Sequence, residues 1–308
     1  MPLETSIGVD VGGTKIASAL VNLATGAILE REIEPTPVAT GPAEVMARIA
    51  TAVARMRASP KLAGASPLGI GIGLPELVGN DGCVSSAWNL DWTGFDPERE
   101  LAGLGRVKLE SDVRAAALGE IRYGHGRQQP SMAYVTVGSG LSFAFCTDGR
   151  IHRGAAGFAI HFGSADLLPV CGACGAQTPF NLESFACGRG LAETFAARTG
   201  RSEIDARAIV SGKAGQEGEK LLDQATTALA SYLGQIAIML DPHVIVVGGG
   251  LGTAPRFFQL IREKTPRYIW AESRRGMPIL PSALGVDTGV VGAAALLERP
   301  RPDGPGAA

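Results

Sequence analysis

Residues 8–15 read Gly-Val-Asp-Val-Gly-Gly-Thr-Lys, and this stretch decides the fold. An apolar run from Ser6 to Asp10 predicts a strand, and a second strand is predicted from Lys15 to Val21 after the two glycines. A third strand is predicted from Ala27 to Ile33. The chain therefore opens with an antiparallel meander, and its first turn carries an acid, two glycines, a hydroxyl and an amine.

The chemistry of this first turn is that of a phosphate site. The backbone N–H groups of Gly12 and Gly13 can form an anion-binding nest, and Thr14 and Lys15 add a hydroxyl and a positive charge. Asp10 can hold a hydrated Mg²⁺ against bound phosphates. A plain hairpin turn is the alternative, but it does not need the acid or the Thr-Lys pair. The loop is not a Walker A motif, because its glycines lie between two strands instead of before a helix.

Two further glycine turns follow predicted strands. The strands Ala133 to Val137 and Leu141 to Cys146 are joined by one turn, and the strand Val244 to Val247 runs into the other. The glycine turns consist of Gly138, Ser139 and Gly140, and of Gly248, Gly249 and Gly250. Either turn taken alone is compatible with a simple reversal of the chain. Together with the first turn, they predict one nucleotide ligand.

Repetition of the strand, turn and strand unit predicts two α/β lobes that face each other across a cleft. We expect residues 1–112 to form the first lobe, completed by a C-terminal helix at 288–300, and residues 113–287 to form the second. Helices are predicted near 43–57, 113–123, 180–198, 203–211, 215–240 and 288–297. The Pro- and Gly-rich residues 301–308 are expected to be disordered.

Composition narrows the partners and the compartment. The 308-residue chain has a formal net charge of −2 and a pI of about 6.1, so no broad basic surface is available for nucleic acid. No apolar run reaches the roughly 20 residues that cross a bilayer, so we expect no membrane partner. The five cysteines are an odd, scattered set, which indicates a reducing compartment instead of a disulfide framework. The N-terminus also lacks a signal-peptide pattern. A cytoplasmic protein is therefore expected.

An acid also precedes the predicted helix at 113–123. Ser111 and Asp112 are both good N-cap residues, so capping is one interpretation of the pair and chemistry is the other. Arg114 follows either as a substrate contact or as a solvated helix residue. The local pattern leaves both questions open.

Four sequence blocks together resemble the ROK family of sugar kinases and sugar-responsive repressors. They are Asp-x-Gly-Gly-Thr-Lys at 10–15, Ser-Asp-x-x-Ala-Ala-Ala-Leu-Gly-Glu at 111–120, the Gly-x-Gly turn at 138–140 and Asn-Leu-Glu-Ser-Phe-Ala-Cys-Gly at 181–188. Their order and spacing fit the family from residue 6 to about residue 297. The resemblance implies the actin/hexokinase-type, ribonuclease H-like ATPase fold. It also implies MgATP as phosphoryl donor, a sugar hydroxyl as acceptor and a homodimer.

The resemblance also implies roles for individual residues. Asp112 corresponds to the general base that takes the proton from the attacking hydroxyl. Glu183 corresponds to a sugar-binding glutamate, and His161 to a histidine that touches the sugar or binds zinc. Asn89 and Ser111 are further expected substrate contacts.

Departures from the family pattern bear on substrate and metal. Ser111 stands where the family has Asn, and Phe158 stands where it has a sugar-binding glutamate. Because a ring cannot accept hydrogen bonds from two hydroxyls, we expect a less hydroxylated, N-acylated or cyclitol acceptor instead of plain glucose. Of the family's zinc motif, Cys171 and Cys174 remain, with His161 as a third candidate ligand. A closed zinc site needs four ligands, so zinc stays an open question.

The sequence therefore predicts a kinase for a hexose, an amino sugar or a sugar-like cyclitol. The alternatives are a non-catalytic sugar sensor and a degenerate kinase of the same family. The repressors carry a helix-turn-helix before the phosphate loop, which here starts by residue 8, so we expect no DNA-reading unit.

Overall fold

The computed structural model describes residues 4–37, 40–87, 91–92 and 95–298. Within these residues the chain is a mixed α/β protein with two five-stranded sheets. The strands are β1 (Thr5–Val11), β2 (Lys15–Asn22), β3 (Ile28–Pro35), β4 (Ile70–Leu74), β5 (Val107–Ser111), β6 (Ser131–Val137), β7 (Leu141–Thr147), β8 (Arg150–His152), β9 (Val244–Gly248) and β10 (Ile279–Pro281). The helices are α1 (Pro42–Arg57), α2 (Pro97–Glu100), α3 (Asp112–Tyr123), α4 (Glu183–Ala186), α5 (Gly188–Thr199), α6 (Ala206–Val210), α7 (Gly215–Leu240), α8 (Pro255–Lys264) and α9 (Thr288–Ala295).

The first sheet has the strand order β3-β2-β1-β4-β5. β1, β2 and β3 are antiparallel neighbours, as the opening meander predicts, whereas β4 runs parallel to β1 and to β5. The register aligns Asp10 with Gly73, and Leu74 with Ser111. Because parallel strands end at the same edge of a sheet, Asp10 and Asp112 are brought to one edge.

Helix α9 packs directly on this sheet, backbone against backbone. A Cβ atom added to Gly8 would lie 1.9 Å from the carbonyl oxygen of Val290, and one added to Gly71 would lie 1.8 Å from that of Ala293. Such contacts exclude any side chain at either glycine. Strands β1 and β4 therefore need glycine where they contact the backbone of α9.

The second sheet has the order β10-β9-β6-β7-β8. β9 lies between β6 and β10 and is parallel to both. The three-residue strands β8 and β10 are missing from the sequence prediction, since so short a run carries no recognisable alternation. The helix predicted at 180–198 is two helices, because Cys187 is extended and its Sγ accepts a hydrogen bond from the Gly190 N–H at the start of α5.

The chain divides into two compact units. Among the described residues, the first comprises those within 4–130, 144–160 and 286–298, and the second comprises residues 131–143 and 161–285. Helix α3 belongs to the first unit, where it packs against α9, although the predicted boundary at 112/113 assigns it to the second lobe. Residues 144–160 also lie with the first unit. The predicted tail at 301–308 lies outside the described residues.

None of the described helices is both long enough and apolar enough to cross a membrane.

Replacing Gly71 by Ala should destabilise the first unit, since its methyl group would overlap the Ala293 carbonyl. We expect the free energy of unfolding to fall by about 3 kcal/mol, measured by urea denaturation. Gly103→Ala is the matched control, because a Cβ there meets open space within 4 Å. Equal unfolding midpoints for the two variants would contradict this account of α9.

Candidate functional site

The turn between β1 and β2 presents its polar groups to solvent. The Gly12 N–H donates to the Lys15 carbonyl at 2.8 Å, and the Thr36 hydroxyl donates to the Gly12 carbonyl at 2.6 Å. These bonds fix the turn from inside. Gly13, Thr14 and Lys15 are exposed, so their donor groups are accessible to a ligand such as a phosphate.

Asp10 is the next-to-last residue of β1 and lies against the first turn of α9. A Cβ atom on Gly289 would fall 2.4 Å from its Oδ2. Burial raises the pKa of Asp10 to about 6, and Lys15 opposes the shift. A carboxylate whose charged form is disfavoured in this way gains from a nearby cation. The residue therefore fits the role of anchoring a hydrated Mg²⁺, whose remaining ligands would be water and phosphate oxygens.

Asp112 is the first residue of α3, at the end of β5. Its Oδ1 accepts a hydrogen bond from the Val113 N–H at 2.6 Å. Burial raises the pKa of Asp112 to about 7, the charge of Asp10 raises it further, and the Val113 N–H works in the opposite direction. A half-buried acid with a pKa near neutrality has the protonation behaviour of a general base.

Ser111 occupies the N-cap position of α3 but makes no side-chain capping bond. Its hydroxyl is buried and has no hydrogen-bond partner among the residues that the structure describes. The capping interpretation is therefore wrong for the Ser111 side chain, whereas Asp112 does bind one N–H of the first turn of α3 through Oδ1. Both residues lie at the carboxyl edge of the first sheet.

Glu76 is a third acid near this edge, which the sequence analysis missed. It follows β4 after Pro75, is only 3% exposed, and accepts a hydrogen bond from the Ser86 hydroxyl at 2.5 Å. Its charge also raises the pKa of Asp112. The sequence did carry a signal for Glu76, since it follows a buried strand and a proline. That strand, β4, lies between β1 and β5, so a residue after it falls near Asp10 and Asp112.

In the second unit, two glycine turns lie together at the end of β6. The Gly138 N–H donates to the Gly140 carbonyl at 2.9 Å. The Gly248–Gly250 turn wraps the same strand end, because the N–H groups of Leu251 and Gly252 both donate to the Val137 carbonyl, at 3.0 and 2.8 Å. The structure thus brings together the two turns that the sequence analysis assigned to one ligand.

Glu183, the first residue of α4, braces the first of these turns. Its Oε1 accepts a hydrogen bond from the Leu141 N–H at 3.2 Å, and its Oε2 accepts one from the Ser164 hydroxyl at 2.6 Å. The carboxylate therefore has a clear role in holding the Gly138–Gly140 turn. Its implied sugar contact stays a prediction.

The other expected substrate residues are distributed between the units. Phe158 belongs to the first unit and is 42% exposed. His161 is exposed and belongs to the second unit. Asn89 lies outside the described residues.

The zinc candidates do not assemble into a site in the described part of the chain. Cys171 and Cys174 are both exposed, and hydrogen bonds from the backbone around Cys174 and from its thiol lower the pKa of Cys171. Among the described residues, no group of three or more His, Cys, Asp or Glu side chains is placed to hold a metal. His161 therefore does not join the two thiols.

Comparison with known proteins places the chain in a family. The sequence profile of the ROK family matches residues 6–299. The chain belongs to the ROK family. A glucokinase of this family from Streptomyces griseus, solved in complex with glucose and AMPPNP, is similar with a TM-score of 0.80 and 28% identity, covering 95% of this chain and 98% of that one. The resemblance seen in the sequence and the predicted actin/hexokinase-type α/β fold are thereby confirmed.

Two other relatives match nearly the whole of this ROK protein. The N-acetylmannosamine kinase of Shigella boydii is 27% identical over 297 residues, which cover 96% of this chain and 98% of that protein. The bifunctional enzyme NanE/NanK of Brucella melitensis is 32% identical over 304 residues, covering 96% of this chain. The chain spans about half the length of that bifunctional enzyme, with 54% covered.

The raised pKa of Asp112 makes a prediction about stability. Because its folded value of about 7 exceeds the ordinary 3.8, the folded state favours the protonated acid, and this stabilisation is lost as the pH rises through 7. Asp112→Asn, which is neutral throughout, should raise the Tm by several degrees at pH 8 and by much less at pH 4.5. Thermal unfolding in buffer with EDTA measures both.

The control for this measurement is Glu98→Gln, which neutralises an exposed acid of the same unit. It should leave the Tm unchanged at both pH values. An equal Tm gain for Asp112→Asn at pH 4.5 and pH 8 would show that folding does not raise the pKa of Asp112.

Proposed function

We propose that this ROK protein is a kinase that transfers the γ-phosphoryl group of ATP to a hydroxyl of a sugar or sugar-like polyol, with Asp112 as general base. The observation that carries the proposal is Asp112 itself. It lies at the carboxyl edge of the first sheet with a pKa near 7, and only one of its oxygens accepts a hydrogen bond from the described residues. The sugar kinases among its relatives support the reaction class.

The proposed transfer is a single displacement. Asp112 accepts the proton of the acceptor hydroxyl while that oxygen bonds to the γ-phosphorus. The bond from the γ-phosphorus to the bridging oxygen breaks, and its electron pair leaves with ADP. Such transfers depend mainly on positioning and on stabilising phosphate charge, so one carboxylate of moderate basicity suffices.

The glycine turns supply the groups that would hold the nucleotide. On the first unit, the exposed Gly13, Thr14 and Lys15 offer an N–H, a hydroxyl and an amine to phosphate oxygens. On the second unit, the Gly138–Gly140 and Gly248–Gly250 turns lie side by side. Gly138 is open, because no atom lies within 4 Å of where its Cβ would be. Bound Mg²⁺ next to Asp10 would supply neutralisation of the phosphate charge.

Phe158 argues for an acceptor with an apolar substituent. The ring is partly exposed and cannot replace a carboxylate that accepts hydrogen bonds from two sugar hydroxyls. An N-acyl group or a less hydroxylated face can pack on it instead. We therefore favour an N-acylated amino sugar or a cyclitol over glucose as the acceptor.

Two variants should separate chemistry from nucleotide binding. Asp112→Asn should lower kcat by about 10² to 10⁴-fold while leaving ATP affinity unchanged. Gly138→Val should weaken ATP binding instead, since its side chain would fill the space open to the ligand. An ADP-release assay over a panel of hexoses, amino sugars and cyclitols gives the rates, and calorimetry gives the affinities.

Matched controls for this experiment are Glu98→Gln, an exposed acid, and Gly172→Val, a glycine whose Cβ position is also open within 4 Å. Near-normal turnover by Asp112→Asn would refute the assignment of the base. Sugar binding without any turnover by the wild type would favour the non-catalytic sensor.

The acceptor preference is tested by comparing Phe158→Glu with the wild type. The wild type should use an N-acetylhexosamine or a cyclitol with a higher kcat/KM than glucose. The variant should shift this ratio toward glucose by about tenfold or more, because the new carboxylate can accept hydrogen bonds from hydroxyls. Phe158→Leu is the control, since it keeps an apolar side chain. A wild type that prefers glucose would contradict this choice of acceptor.

A further inference from the structure

Arg114 is buried completely, with 0% of the residue exposed. Its Nε donates to Glu110 Oε1 at 2.6 Å, its Nη2 donates to the Val78 carbonyl at 2.5 Å, and its Nη1 donates to the Gly157 carbonyl. Every nitrogen of the guanidinium is thus committed to a protein oxygen. The side chain is neither solvated nor available to a substrate.

Arg153 extends this network from the other side of Glu110. Its Nη1 donates to Glu110 Oε2, its Nε donates to Asn80 Oδ1 at 3.0 Å, and its Nη2 donates to the Gly79 carbonyl at 3.1 Å. The Asn80 amide in turn donates to the Gly154 carbonyl at 3.1 Å. We call the side chains of Glu110, Arg114, Arg153 and Asn80 the arginine clamp.

The arginine clamp joins three separate stretches of the first unit. These are the start of α3, the turn at residues 78–80 after β4, and the segment at residues 153–157 after β8. Gly157 seals the contact, because it is buried with a φ of 88° and a Cβ there would lie 2.9 Å from the Asn80 nitrogen. The segment therefore cannot slide along the turn.

Phe158 is the next residue after this fixed point. Its backbone follows Gly157 directly, while its ring is 42% exposed. Asp112 lies two residues before Arg114 on α3. The Arg114 guanidinium thus connects the helix that carries Asp112, the proposed base, to the segment that carries Phe158, the residue proposed to contact the acceptor.

We propose that Arg114 is a positioning residue that holds Phe158 in a fixed place relative to Asp112 and thereby sets acceptor selectivity. The inference rests on the proposed kinase function. Arg114 does not touch the acceptor in this account. It acts through the Gly157 carbonyl, so its loss changes which acceptors fit and leaves the nucleotide groups in place.

The energetics agree with a geometric role. Burial lowers the pKa of Arg114, and the charge of Glu110 opposes this shift. A buried ion pair is often no more stabilising than apolar residues of the same volume, because desolvation offsets the attraction. A planar fork that binds one carboxylate and two carbonyls does, however, fix three chain segments in one arrangement.

The test uses Arg114→Lys and Asn80→Ala in the full chain. Lys keeps the charge but cannot reach the three oxygens at once, whereas Ala at the exposed residue 80 removes hydrogen bonds to the segment without burying a charge. For the two best wild-type acceptors, we expect the ratio of kcat/KM values to move toward unity by about tenfold. The KM for ATP should stay unchanged.

The ratio distinguishes positioning from a general loss of structure. A variant that merely folds less well lowers the amount of active enzyme, which scales both acceptors equally and leaves the ratio at its wild-type value. Arg256→Met is the control, because that arginine also bonds a carboxylate, of Glu219, and a carbonyl, of Val210, but in the second unit. It should leave the acceptor ratio unchanged.

Different outcomes would contradict the proposed kinase function and the positioning role of Arg114. If the wild type phosphorylates no acceptor, the proposed function fails. If the wild type discriminates between acceptors and both clamp variants keep its ratio, the positioning role of Arg114 is overturned. Should Arg114→Lys fail to fold, Arg114→Gln takes its place, since its amide can still donate to the Gly157 or the Val78 carbonyl.

Discussion

The close approach of α9 to the first sheet is the constraint on which the candidate catalytic groups depend. Gly8 and Gly71 let the helix backbone touch the strands, so no side chains separate the two layers. In the first turn of the same helix, Gly289 lies against the carboxylate of Asp10. Water is thereby excluded from one side of that acid, and its pKa rises. The packing that makes the unit compact also makes its acid costly to ionise.

Two groups of charges in this unit are treated in opposite ways. Asp10, Asp112 and Glu76 are acids near one sheet edge. Burial raises the pKa of Asp112, and the negative charges of Asp10 and Glu76 raise it further. Glu110, by contrast, has an arginine on each carboxylate oxygen. The charged forms of Asp10 and Asp112 would gain from a bound cation, whereas Glu110 is paired within the protein. The first arrangement is typical of a reactive site and the second of a scaffold.

The sequence predicts groups that end strands better than it predicts groups that connect elements. The turn at residues 12–15 follows a predicted strand, so periodicity and turn chemistry locate it, whereas the acid at 112 is found only as a residue before a predicted helix, and its role comes from the family resemblance. The partners of Arg114 are carbonyls at 78 and 157, and nothing in the local sequence marks a carbonyl as an acceptor. The spacing of Glu110 and Arg114 did allow an ion pair. Glycines at 69 and 71 within an apolar strand were an unused signal of a close backbone approach.

The same contrast explains how residue 158 can depart from the family pattern without loss of the scaffold. The segment before it is held by carbonyl oxygens and by the absence of a side chain at Gly157, and neither depends on what residue 158 is. The clamp also fixes the backbone while leaving the ring exposed. A glutamate or a phenylalanine can therefore occupy this position on an unchanged frame. In the proposed site, acceptor selectivity would be set by one exposed side chain, whereas the placement of that side chain would be set by the buried arginine.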